Sequence, residues 1–177
     1  MNNEEYREDK RKKAYELYLQ NKALKKARAL ILKDNKLCAI KVSYNNGKAD
    51  EYLPIGGGVE GEENVREATI REAKEEMNAN IEIVKYLGKK YFYKPNTYGD
   101  IEFMSQRIEF YYLCKYLSQA DNEKFGLDGE FERPDRTYTI VELTADDLRE
   151  ITYQNIYHMP RNIFDKLLNE MDENREI

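Results

Sequence analysis

The stretch GGGVEGEENVREATIREAKEEMNA, residues 56–79, decides how the whole sequence is interpreted. Three glycines open it, and a segment from about Asn64 to Met77 follows without Gly or Pro and with apolar residues at helical spacing. This pattern predicts a flexible loop that leads into a helix. Glu72, Glu75 and Glu76 stand at positions i, i+3 and i+4, so they share one face of that helix.

These three glutamates oppose the stability of the helix that carries them. Like charges at this spacing cost about 0.2 to 0.5 kcal/mol per pair, and acids in the last turn oppose the helix dipole. A charged helix taken alone is more often just a solvated face. The glycines allow close backbone approach, and Mg²⁺ or Mn²⁺ prefers the carboxylate and carbonyl oxygens gathered here. The segment as a whole therefore favours a site for a hard cation.

The spacing of the segment resembles the Nudix box of the Nudix hydrolases. That box runs Gly, five residues, Glu, seven residues, Arg-Glu, an aliphatic residue, one residue, Glu-Glu, one residue, Gly and an aliphatic residue. Asn78 replaces the last Gly, and Asn is the non-Gly residue best able to adopt the left-handed conformation that ends a helix. Ile55 adds a residue to the commoner Leu-Pro-Gly-Gly lead-in. The matching positions are Gly57, Glu63, Arg71, Glu72, Ala73, Glu75, Glu76 and Ala79.

The resemblance implies a Mg²⁺-dependent enzyme, with Mn²⁺ as an alternative metal. Such an enzyme hydrolyses a pyrophosphate bond in a nucleoside diphosphate linked to another group. Glu75 and Glu76 would be the principal metal ligands. Glu72 would be a further ligand or the base, and the Gly56 carbonyl would complete the metal shell.

The resemblance also implies catalytic residues around this metal site. Arg71 would orient a catalytic Glu through a charge-assisted hydrogen bond, and Glu63 would support the same cluster. Nudix enzymes often draw a further carboxylate from a loop beyond the box. The acidic loop 118–136 suggests Glu130 or Glu132 for this role, although acidic surface loops are more often merely solvated.

Two residues outside the box are candidate substrate contacts. Tyr93 lies in an aromatic run that could stack a nucleobase, but at least half of such strand residues should be core. Arg107 lies within a predicted strand and could reach substrate phosphates, pair with a neighbour or face solvent.

The favoured substrate is a nucleoside triphosphate or an oxidised nucleotide. The ADP-ribose branch of the family usually carries extra N-terminal strands, whereas residues 3–21 predict a helix. Pro95 argues the other way, because that branch tends to carry Pro at this position. An ADP-ribose or nucleotide-sugar pyrophosphatase and a non-catalytic nucleotide-binding regulator remain as alternatives.

The composition limits the classes of function. The 177 residues carry a net charge of −5, which disfavours general nucleic-acid binding. No apolar stretch is long enough for a membrane helix, and the first 13 residues lack the apolar core of a signal peptide. We therefore expect a cytoplasmic protein with no membrane partner. Cys38 and Cys114 lie in apolar runs, so we expect two reduced core cysteines.

The predicted fold is α+β, a Nudix-like α/β/α sandwich with a mixed sheet and an additional N-terminal helix. The predicted strands include residues 81–87, 91–93 and 101–116, with a turn at Lys94–Asn96. Residues 1–22 are expected to be a helical extension and residues 23–177 the Nudix domain. As a further alternative, the N-terminal helix could mediate assembly, for example of a homodimer.

Overall fold

The computed structural model describes residues 3–126, 134–151, 156 and 159–175. Within these ranges the chain forms four helices and six strands. They are α1 (Asn3–Leu19), β1 (Leu24–Lys33), β2 (Lys36–Tyr44), β3 (Glu51–Pro54), α2 (Val65–Met77), β4 (Ala79–Tyr98), β5 (Ile101–Gln119), β6 (Arg136–Leu143), α3 (Ala145–Ile151) and α4 (Arg161–Glu173).

The strands form one mixed sheet in the order β3-β2-β1-β5-β4, and β6 pairs with the other edge of β2. β1 and β5 are parallel, and the remaining pairs are antiparallel. β2 pairs with β1 only from Lys36 to Cys38, and further along it pairs with β3 instead. The chain that follows β3 then makes bridges to β1, Ile55 with Ala29 and Gly58 with Lys26. Residues 56–58, which we call the glycine loop, are therefore held in the sheet, between β1 and β2.

Both faces of the sheet are covered, which explains the continuous apolar run in β1. Leu30 points into a core shared with α3 and α4, where Leu148 and Leu167 are fully buried. The next residue, Ile31, points into a second core that contains Ala73 of α2. The predicted α+β sandwich with a mixed sheet is confirmed. Cys38 and Cys114 are buried free thiols, and burial raises the pKa of Cys38 to about 11 and that of Cys114 to about 12.

The predicted turn at Lys94–Asn96 is wrong. β4 continues through Pro95, which lies opposite Met104 in β5, and the chain turns only after Tyr98. A proline has no N–H to donate to a sheet, but β4 is an edge strand and can present that position to solvent. The turn instead uses Gly99, whose φ is 56°.

The two long strands form a hairpin arm, and α1 packs against it through aromatic rings. The ring of Tyr15 lies 5.3 Å from Tyr98 and 5.4 Å from Phe103, and Tyr18 lies 5.2 Å from Phe103, between ring centroids. Phe103 is buried by this contact. None of the helices in the described ranges is both long enough and apolar enough to cross a bilayer.

Candidate active site

The glycine loop contacts β1 so closely that a side chain is excluded at Gly56. The backbone N–H of Ala27 donates to Gly57 O at 2.9 Å, and that of Ala29 donates to Ile55 O at 2.8 Å. Gly56 has a φ of +140°, and a Cβ there would lie 2.1 Å from Ala27 O. Only glycine fits this position, because both the backbone conformation and the contact exclude a side chain.

Gly57 leaves the space in which Glu72 lies. A Cβ on Gly57 would be 2.3 Å from Oε1 of Glu72. The Glu72 side chain therefore reaches beneath the loop, and the residue as a whole is only 7% exposed. Burial raises the pKa of Glu72, although the neighbouring Arg71 opposes that shift.

Local capping fixes both ends of α2. Asn64 and Glu67 form a reciprocal capping box at its start: the Asn64 side chain accepts from Glu67 N at 3.0 Å, and Asn64 N donates to the Glu67 carboxylate at 2.7 Å. Asn78 ends the helix with φ 49° and ψ 44°. The left-handed conformation expected of this residue is confirmed.

Arg71 connects three carboxylates and the glycine loop. Its Nη1 donates to Glu72 at 2.9 Å and to Glu75 at 2.8 Å. Its Nη2 donates to Gly58 O at 2.7 Å and to Glu63 at 2.7 Å, and Nε also donates to Glu63. All the N–H groups of the guanidinium can be satisfied in this way. The hydrogen bond between Arg71 and Glu63 lowers the pKa of Glu63. The same hydrogen bond raises the pKa of Arg71.

Glu76 contacts the glycine loop directly, at Gly56. Its Oε2 accepts from Gly56 N at 2.8 Å. Burial nevertheless raises the pKa of Glu76 to about 7, with the nearby Glu72 contributing. The Gly56 carbonyl accepts from Arg28 Nη1 at 3.1 Å.

The donor set fits a hard divalent cation, since the glutamates of one helix face and a loop carbonyl are all oxygen ligands. In the arrangement described, however, Arg71 holds Glu72 and Glu75, and Gly56 holds Glu76. Among the residues that the structure describes, no three acidic, His or Cys side chains stand together as a ready metal group. Arg71 thus provides the positive charge that offsets these carboxylates.

A second charged cluster lies on the other face of the sheet, behind the glycine loop. Arg28 makes a bidentate pair with the fully buried Glu109, at 3.0 and 3.1 Å. Arg107 Nε lies 2.9 Å from Glu109 as well. Burial, with Arg28 and Arg107 nearby, lowers the pKa of Lys26 to about 8. Three cations therefore surround one carboxylate, next to the loop that carries Gly56.

The two predicted substrate contacts do not lie together. Arg107 is opposite Phe92 in the hairpin arm and its guanidinium lies 4.7 Å from that ring. Tyr93 follows Phe92 in β4, so it points to the opposite face of the hairpin arm, and it is 61% exposed. Their roles as substrate contacts stay predictions. The candidates Glu130 and Glu132 lie outside the described residues.

Sequence reasoning missed Arg28 and Glu109. A basic residue between alanines in a buried strand, as in Ala27-Arg28-Ala29, is a signal that could have indicated Arg28. Nothing local indicates that Glu109 is its partner, because the two residues are 81 positions apart.

Comparison with known proteins identifies the family. The NUDIX domain family model matches residues 23–158. The chain therefore belongs to the Nudix family and is a Nudix hydrolase, as the resemblance of the box indicates. No protein with a curated description matches the sequence.

Solved structures share the fold. A NUDIX hydrolase from Nitrosomonas europaea is 17% identical, with a TM-score of 0.53 over 88% of this chain and 89% of that chain. A NUDIX family hydrolase from Clostridium perfringens is 20% identical, with a TM-score of 0.51 over 85% and 97%. A MutT NUDIX hydrolase from Burkholderia pseudomallei is also 20% identical, with a TM-score of 0.51 over 81% and 97%. At these identities the likeness supports the fold alone.

Proposed function

We propose that this Nudix hydrolase is a Mg²⁺-dependent pyrophosphohydrolase, with Mn²⁺ as an alternative metal, that acts on nucleoside triphosphates or oxidised nucleotides. The observation that carries the proposal is the set of contacts that Arg71 makes with Glu63, Glu72 and Glu75 beneath the glycine loop. A module that only binds a nucleotide has no need for such a carboxylate face, whose repulsion must be offset.

In this mechanism Glu72, Glu75 and Glu76 would hold the metal. The Gly56 carbonyl would join them as a ligand only after leaving Arg28, from which it accepts a hydrogen bond. When bound, the ion supplies Lewis-acid chemistry, because it neutralises charge on the diphosphate and makes water more acidic. The residues of the chain supply the positioning. Arg71 fixes the Glu72 carboxylate, and Gly57 provides the space that this carboxylate occupies. Glu72 is then placed to act as a ligand or to accept a proton from water.

Two features support a triphosphate as substrate. The first is the net positive charge of Lys26, Arg28 and Arg107 around Glu109. This cluster lies on the face of the sheet opposite the carboxylates, so it would attract the more negative phosphate chain of a triphosphate through its electrostatic field and not by direct contact. The second is α1, because residues 3–19 form a helix where the ADP-ribose branch usually carries strands.

The test is a comparison of kcat/KM, with and without Mg²⁺, across nucleoside triphosphates, 8-oxo-dGTP, ADP-ribose, nucleotide sugars and dinucleoside polyphosphates. We expect Mg²⁺-dependent formation of nucleoside monophosphate that is fastest with a triphosphate, from which pyrophosphate is the second product. A preference of about tenfold or more for ADP-ribose, equivalent to about 1.4 kcal/mol in transition-state binding, would overturn the order of substrates. Binding without turnover of any of these compounds would favour the regulator instead.

A further inference from the structure

The chain that leaves β5 folds back over the end of α2. The backbone N–H of Ala120 donates to Asn78 O at 2.7 Å, and that of Gly126 donates to Glu75 O at 2.8 Å. We call residues 120–126 the strap. Because the last carbonyls of a helix have no partner within the helix, the strap satisfies groups that would otherwise need water.

The side chain of Asn78 fastens the strap. Its Oδ1 accepts from Asn122 N at 3.0 Å, while Asn122 Nδ2 donates to Lys74 O at 3.0 Å. Asn78 is only 7% exposed. A glycine would adopt the same left-handed backbone but would offer no acceptor to Asn122. The residue that departs from the family pattern therefore has a contact that the family residue could not make.

The strap also forms one wall of a cleft of about 570 Å³ along α2. The cleft reaches the cluster described above, because Arg71 and Glu75 line it. Its other lining residues include Ile70 and Lys74 from the helix and Asp121 and Asn122 from the strap. Without the strap this side of α2 would be an open surface.

We propose that Asn78 is a positioning residue, which holds the strap so that the cleft can bind the part of the nucleotide that extends past Glu75. This inference rests on the proposed function. Asn78 does not touch the substrate; it acts through Asn122 and the neighbouring strap residues. Its loss should therefore weaken substrate binding and leave the metal ligands in place.

The test compares Asn78→Gly, Asn78→Asp and Asn21→Gly in the full chain. The glycine variant keeps the helix end and removes the acceptor, whereas Asp retains an acceptor and tolerates the left-handed backbone. Asn21→Gly is the matched control, because Asn21 is an exposed residue with φ 51° that follows α1 and lies far from the strap in sequence. The measurements are KM and kcat for the best triphosphate, Mn²⁺ affinity, and amide hydrogen exchange at Asn122 and Gly126.

We expect Asn78→Gly to raise KM about tenfold, with kcat within about twofold and Mn²⁺ affinity unchanged. Exchange at Asn122 and Gly126 should accelerate. Asn78→Asp should restore most of the lost affinity, and Asn21→Gly should behave like the wild type. An unchanged KM in a variant with fast exchange would show that the cleft is not used. A parallel loss of Mn²⁺ affinity and kcat would show that Asn78 acts by fixing the end of α2 and not by holding the strap. Either outcome overturns the inference.

A failure of the proposed function gives a different result. If the wild type hydrolyses none of the nucleotides, binding of α,β-methylene-ATP in the presence of Mg²⁺ replaces the kinetic readout. Weaker binding by Asn78→Gly that Asn78→Asp restores would then support the positioning role of Asn78. Equal binding by all variants, or none by the wild type, would overturn it.

Discussion

The backbone N–H of Gly56 donates to the Oε2 atom of Glu76 at 2.8 Å, so the glycine loop and α2 are joined at a candidate metal ligand. The carbonyl of the same glycine accepts from Arg28, whose guanidinium is paired with the buried Glu109. One residue thus connects the carboxylate face of the helix with the cationic cluster on the opposite face of the sheet. Substitutions at and around this junction should therefore affect turnover and thermal stability to different extents.

Glu76→Gln should lower turnover by a factor on the order of a hundred or more, because it replaces a proposed metal ligand, which is charged, by a neutral amide. The Gln side chain retains an oxygen that can accept from Gly56 N, so the protein should stay folded. Steady-state kinetics at saturating Mg²⁺ and a circular dichroism spectrum check both parts. Activity within about threefold of the wild type would remove Glu76 from the metal site.

The pKa of Glu76 predicts a pH-dependent difference in stability between the wild type and Glu76→Gln. With a folded-state pKa of about 7 and an ordinary value of 4.5, native Glu76 binds a proton between these values when the unfolded chain does not. Its contribution to stability is therefore complete below pH 4.5 and is lost as pH rises through 7. Gln has no such titration. Thermal melts in EDTA should show a Tm advantage for Glu76→Gln that grows between pH 5 and pH 8. An advantage that stays constant over this range would contradict the assignment.

Arg71→Lys should reduce activity about tenfold to a hundredfold, a range typical for residues that orient metal ligands. Lysine keeps the charge but loses the planar set of donors that reaches Glu63, Glu72 and Glu75 together. Arg66→Lys is the control, because Arg66 is an exposed arginine of the same helix. Equal activity of the two variants would show that the planar guanidinium of Arg71 is unnecessary.

Gly57→Ala should impair catalysis much more than Gly58→Ala. The added methyl on Gly57 would collide with the Glu72 carboxylate, whereas nothing lies within 4 Å of a Cβ on Gly58. A displacement of about 1 Å at a reacting centre can cost on the order of a hundredfold in rate. Comparison of kcat/KM and Tm for both variants measures the effect. Similar kinetics for the pair would mean that the position of Glu72 does not limit the reaction.

The sequence by itself determined the features that depend on neighbours along the chain. The spacing of Glu72, Glu75 and Glu76 places them on one helix face, because the period of a helix is fixed. The left-handed end of α2 at Asn78 was predicted for the same kind of reason, since it depends on the conformational range of one residue. These local rules also explain the capping box at Asn64.

Only the tertiary structure decided which distant residues meet. Arg28 pairs with Glu109 because β1 and β5 are adjacent and parallel, and Asn78 meets Asn122 because the strap returns to α2. Pro95 continues a strand because β4 lies at the edge of the sheet. Each outcome depends on strand pairing and burial over many residues, and the same local sequence would permit other partners.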